Sequence, residues 1–265
     1  MKILPVFFLF LASCSAKPTP DEVSLHFQDL KNPKVATSNT QPFPLPSQDI
    51  HQGMVHVVGN FCPEVKERCI VWKDDPSKTK FARCQEFAPS ICVASKISMD
   101  FWIDKYEYKE KYTRLPMSNV TWTEAQNICI AEGKRLPTEE EWTHAAEGPE
   151  MFPYTTGFIR PTGTCNIDLE KDIVCGKTLC DHRREIDANP KCVSGYGAVN
   201  MAGSVDEWVE SKPYQHSKQP NLWMRSSLKG GHWLGIRART RPKTVDHEQM
   251  RFKQISIGFR CVSDK

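Results

Sequence analysis

The residues best suited to chemistry lie near the C-terminal end of the chain. His232 and Trp233 stand in "KGGHWLGIRARTRP" (229–242), and His247 follows in "RPKTVDHEQ" (241–249). Two imidazoles with Asp246 or Glu248 could form the two-histidine, one-carboxylate set that holds non-haem iron. The same imidazoles could equally serve as hydrogen-bonding or surface groups. Arg237, Arg239 and Arg241 alternate, so on a strand they would share one face. Planar guanidinium groups on one face can take a carboxylate, phosphate or sulfate in paired hydrogen bonds. With His232 and Trp233 they make a candidate ligand-binding set. The competing reading pairs these arginines with buried acids, such as Asp104 or Glu107, and makes them structural. The chain contains no serine-hydrolase, zinc-protease or phosphate-loop pattern.

Cysteine is the other reactive type. Eleven cysteines are an odd number. The first residues explain the odd one: "MKILPVFFLFLASCSAK" carries Lys2, an apolar run and then small residues, an export signal too short to span a membrane. Leu11-Ala12-Ser13-Cys14 looks like the lipobox of bacterial lipoproteins, which makes Cys14 the lipidated residue. Residues 1–13 are then the signal peptide, and Ser15 is compatible with sorting to the outer membrane. Ten cysteines remain, enough for up to five disulfides in an exported chain. Zinc is the alternative, but Cys62, Cys69, Cys84 and Cys92, like Cys165, Cys175, Cys180 and Cys192, include no C-x-x-C pair.

The elements that must position these groups begin after a polar stretch. Residues 14–52 are rich in Pro, Ser, Thr, Gln and Asn and read as a flexible tether. Residues 53–265 make one folded domain. A net charge of +3 over 265 residues gives no ground for nucleic-acid binding. In "TWTEAQNICIAEGKRLPTEEEWTHAAEG" two helices are predicted. Thr123 and Gln126 form a capping pair for the first, with Ala125, Ile128 and Cys129 at helical spacing and Gly133 at its end. Thr138 and Glu141 cap the second, whose acidic first turn, Glu139 and Glu140, suits the helix dipole. "MVHVVGNF", "DFWIDKYEY" and "SNVTW" read as strands. The result is an irregular α+β domain with little regular structure.

The order of the motifs resembles the sulfatase-modifying factor family, whose founding members are formylglycine-generating enzymes. "FWIDKYEY" is similar to the family's "F-x-I-D-x-x-E-V", and the two-helix segment to "VSW…GKRLPTEAEW". "YGAVNMAGSVDEW", "GGHW" and "ISIGFRC" follow the family's "YGLYDMxGNVWEW", "GGSW" and "IGFRC". The resemblance covers nearly all of 53–265 and implies the family's lectin-like α+β fold. It implies a disulfide between Cys129 and Cys261. It also implies structural calcium held by the side chains of Asn200 and Glu207 and the carbonyls of Gly203 and Val205, although Ser204 replaces a family asparagine. A second calcium site would begin at Asn166 and Ile167, with Asp181 as its acid.

Those enzymes hold copper(I) with two cysteines, and thiolates suit that soft ion. The matching positions here are Gly235 and Thr240, so no copper is expected. The resulting expectation is an envelope-anchored lipoprotein whose domain is non-catalytic. It would bind an envelope protein, a peptide or a glycan, or serve as a structural part of an envelope assembly. The alternative is a metal-dependent oxidase, with non-haem iron or copper in a different active site.

Overall fold

The computed structural model describes residues 51–170, 174–215, 223–234, 242 and 246–264. Cys14, the signal peptide and the tether up to residue 50 fall outside them, as do Gly235, Arg237, Arg239, Thr240 and Arg241.

Strand β1 (Met54–Phe61) pairs antiparallel with β6 (Ile97–Asp104), and β13 (Val262–Ser263) adds to the far edge of β6. Alternation puts Val57, Phe101, Ile103 and Val262 on one buried face. Against that face packs a helix, α2 (Glu139–Glu147), through Trp142, Ala145 and Ala146. The predicted strand "DFWIDKYEY" ends early. The chain leaves the sheet after Asp104, where Lys105 N–H donates to the Gly53 carbonyl.

The second sheet runs β11 (Asp246–His247), β10 (Trp223–Lys229), β9 (Asp206–Gln215), β12 (Ile257–Gly258). The other helix, α1 (Trp122–Ala131), buries Trp122, Ala125 and Cys129 against Trp208, Leu228, Ile257 and Phe259. Two indoles tie α1 to this sheet: Trp122 Nε1 donates to the Val209 carbonyl at 3.1 Å, and Trp208 Nε1 to Val120 at 2.9 Å.

The helix starts correct one sequence reading. Thr138 with Glu141 caps α2 as expected, but α1 is capped by Thr121 with Glu124 and not by Thr123 with Gln126. Two capping templates overlap there, two residues apart. The earlier one wins because it makes Trp122 the first helical residue, buried, with its N–H donating to the Met250 carbonyl. For the same reason "SNVTW" forms no strand. It is the turn into α1, with Asn119 at φ 57°.

Five disulfides use all ten cysteines of the described region: 62–92, 69–84, 129–261, 165–192 and 175–180. The 129–261 bond joins α1 to the segment leading into β13. The 62–92 and 69–84 bonds brace two small ribbons, β2 (Val65–Lys66) with β5 (Ile91–Cys92) and β3 (Cys69–Trp72) with β4 (Cys84–Phe87), and the 175–180 bond closes the hairpin of β7 (Val174–Cys175) and β8 (Thr178–Leu179).

Candidate functional site

The turn into β9 and the turn out of β10 lie side by side, because Gly203 N–H donates to the Gly230 carbonyl at 3.1 Å and Lys229 pairs with Glu207. Gly203 has φ +82°, and a Cβ there would sit 2.3 Å from the Asn166 carbonyl oxygen, so only glycine allows this approach. Asp206, Glu207, His232 and Trp233 are thereby brought to one buried place.

Glu207 is fully buried, and both of its oxygens accept from Arg260, at 2.7 Å each. Trp142 Nε1 donates to the same carboxylate at 2.7 Å. Arg260 spends its other N–H groups on the carbonyls of Asp104, Lys105 and Val199. The ion pair is therefore satisfied on every side, the condition under which a buried pair is tolerated. Asn200, at φ 59°, donates through Nδ2 to Glu107 at 3.0 Å and to the Ile186 carbonyl at 2.9 Å. Its Oδ1 is buried without a hydrogen-bond partner.

These contacts test the implied calcium ligands. Asn200 Oδ1 has the character a hard cation needs, but Glu207 is committed to Arg260. At the second site the pattern repeats. Asn166 Oδ1 is buried without a partner, while Asp181 accepts from Arg183 at 3.0 and 2.8 Å. At both places the amide oxygen fits an ion and the carboxylate, as positioned, does not.

His232 Nδ1 lies 2.6 Å from Asp206 Oδ2. A carboxylate only accepts, so Nδ1 is the donor, and Nε2 is buried without a hydrogen-bond partner. His247 is held elsewhere: its Nδ1 is 2.9 Å from Ser227 Oγ, which also donates to Glu139 at 2.7 Å. The two-histidine set with Glu248 is therefore not assembled. Among the described residues no three His, Cys, Asp or Glu side chains gather in a metal-holding group. Trp233 is fully buried beside His232, their rings edge-to-face at 5.5 Å, so it packs here and is not displayed to a ligand.

The acids named as partners for the arginine row have other partners. Asp104 accepts from Lys134 Nζ at 2.9 Å and from the Cys261 N–H at 2.9 Å. Burial still holds its carboxyl above the usual range. Glu107 accepts from Asn200. Two arginines that do pair with buried acids are Arg260, on Glu207, and Arg160, on Asp168 at 2.7 Å, and the row "IRARTRP" includes neither. The signal for Arg260 was present in "IGFRCV", one charge inside an apolar closing stretch, where an unpaired guanidinium would be prohibitive.

The model for the sulfatase-modifying factor enzyme 1-like domain matches residues 77–265, and the chain belongs to that family. Among curated relatives, the inactive C-alpha-formylglycine-generating enzyme 2 of Bos taurus is 30% identical over 164 residues, 56% of this chain and 50% of its own. The formylglycine-generating enzyme of Mus musculus is 29% identical over 167 residues, 56% of this chain and 44% of its own. The chain thus spans about half the length of the curated relatives it matches. The crystal structure of CarF covers 79% of this chain and 97% of its own, at 17% identity and a TM-score of 0.50, a likeness of fold.

Proposed function

We propose that this chain is a lipoprotein anchored through Cys14 in a bacterial cell envelope, at the outer membrane, and that its domain binds a partner and does not generate formylglycine. One observation carries the second half: every cysteine from Cys62 to Cys261 is in a disulfide. Copper(I) needs free thiolates, and the family's two thiol positions are Gly235 and Thr240 in this sequence. A relative named as inactive supports the same reading.

Alkylation before reduction tests the domain. No thiol should react in the chain from Ser15 onward, and ten should react after reduction. Two reactive thiols without reductant would sink the reading. The anchor is tested separately: a bacterial host should label the chain with an alkyne-tagged fatty acid, and Cys14→Ser should abolish the label.

A metal-dependent oxidase is the second reading, and one feature favours it. His232 is oriented by Asp206 through Nδ1 with Nε2 left over, the outer-shell arrangement typical of metal-ligating histidines. Stoichiometric iron or copper in the purified chain, lost in His232→Ala, would establish it.

A further inference from the structure

Strands β2 to β5 make one continuous two-stranded ribbon. Lys73 N–H donates to the Arg83 carbonyl at 2.9 Å, Ala88 N–H to Arg68 at 2.9 Å and Val93 N–H to Glu64 at 3.0 Å, which extends the pairing of β3–β4 and β2–β5. Two strands alone are marginal, and the 62–92 and 69–84 disulfides clamp this pair at two levels. The inner strand, β4, is used on both edges. Phe87 N–H donates to the Phe158 carbonyl at 3.0 Å, Arg160 N–H to Gln85 at 2.8 Å, and the Phe87 ring packs on Tyr154. The outer strand, β3, pairs with nothing beyond β4 among the described residues.

That edge is apolar, where exposed edges are ordinarily guarded by charge. Ile70, Val71 and Trp72 are consecutive and 45%, 45% and 47% exposed, and Phe81 is 59% exposed. The two aromatics flank the Lys73–Arg83 pair, one residue before Lys73 and two before Arg83. Residues 68–84 carry five basic side chains and two acidic ones, and both acids are matched. Asp74 accepts from Arg83 at 2.7 and 2.8 Å, and Asp75 lies 3.6 Å from Lys78. Arg68, Lys73 and Lys80 are exposed and in no ion pair among the described residues. Lys80 Nζ lies 5.1 Å from the centre of the Phe81 ring.

Another strand is a poor occupant for this edge. Register shifts on both sides of Val71 break the row of backbone groups, and lysines flank it, two devices that block strand addition. A contact that needs no register suits it better. Aromatic and aliphatic side chains beside lysines are the composition of segments that lie at the headgroup level of a bilayer, rings at the acyl boundary and ammonium groups among the phosphates. Such a surface is within reach, since the chain from Cys14 to His51 spans at most about 130 Å. Tethering also makes docking intramolecular, so a contact too weak to act in free solution becomes occupied.

We propose that the β3–β4 end of the ribbon, through Trp72 and Phe81 with Arg68, Lys73 and Lys80, docks on the anionic headgroup layer of the membrane that holds the lipid. The choice of occupant rests on the anchor at Cys14. The docking is tested without that lipid, so its failure would leave the fatty-acid label and the thiol count untouched.

The chain from Ser15 onward is floated with vesicles of phosphatidylethanolamine and phosphatidylglycerol, and with phosphatidylcholine vesicles, at millimolar lipid. It should rise with the anionic vesicles, and several-fold less with phosphatidylcholine or in high salt. Trp72→Ser with Phe81→Ser should weaken binding about tenfold. Lys73→Gln with Lys80→Gln should weaken it by about tenfold or more. All four side chains are exposed, so the core and its disulfides stay in place. A spin label near the lipid headgroups should quench tryptophan fluorescence, and Trp72→Phe should remove much of that quenching.

No flotation with the anionic vesicles, equal flotation with both kinds, or flotation unchanged in Trp72→Ser with Phe81→Ser overturns the proposal. Quenching that survives Trp72→Phe places the contact elsewhere and overturns it too. Dimers that the same serine substitutions dissolve, with no flotation, overturn it in favour of a second copy.

Discussion

At the scale of single residues, the buried carboxylates decide how the molecule answers to pH. Glu107 has its carboxyl raised from 4.5 to about 7 by burial, helped by Glu207 and opposed by Arg260. The folded chain therefore keeps a proton that the unfolded chain has lost between those two values. Stability falls as pH rises through that window, by at most about 3 kcal/mol from this one group. Denaturant unfolding at about pH 5 and about pH 8 should show a fall in the unaltered chain that is smaller in Glu107→Gln. An identical slope in both would remove Glu107 from the account. Glu207 behaves oppositely to substitution. Its side chain accepts from Arg260 and Trp142, so Glu207→Gln strands a buried guanidinium and should cost about 3–5 kcal/mol, read as a lowered urea midpoint with an unchanged slope.

Among the elements, the disulfides differ in what they hold. The 129–261 bond closes 132 residues and joins α1 to the end of the chain, while the 175–180 bond closes 5 residues within one hairpin. On the loop-entropy account these are worth about 5 and about 2 kcal/mol. Cys129→Ser with Cys261→Ser should therefore lower the melting temperature far more than Cys175→Ser with Cys180→Ser. Equal losses would mean that local strain, not loop closure, sets the effect. The elements were legible in the sequence where one signal was unopposed. Thr138 with Glu141 caps α2, Gly133 follows α1 at φ 72°, and the alternation of β1 and β6 names the inner face. They were not legible where two signals overlapped, as at Thr121 and Thr123, or where a partner distant in sequence chose. Nothing local says that Glu207 will meet Arg260, 53 positions later, and that pair, not the histidine loop, organises the buried polar centre.

For the whole molecule, the remaining issue is which cations hold its two irregular turns together. Calcium is what family resemblance implies at both places, and each place does present a buried amide oxygen without a partner, Asn200 Oδ1 and Asn166 Oδ1. Each implied carboxylate, however, already has a cation that cannot be chelated: Arg260 on Glu207 and Arg183 on Asp181. A divalent ion would have to displace a guanidinium held by several further hydrogen bonds, or bind without its acid and so with much reduced affinity. The 165–192 and 175–180 disulfides already cross-link the segment that carries Asn166 and Asp181. The expected result is a melting temperature that EDTA does not change and added calcium does not raise. An ion bound only to the folded state must raise it in proportion to the logarithm of its excess over the dissociation constant. A rise with calcium that disappears in Asn200→Ala or Asn166→Ala would show that the amide oxygens hold the ion and that the arginines yield. No rise would make Arg260 and Arg183 the permanent cations of the fold.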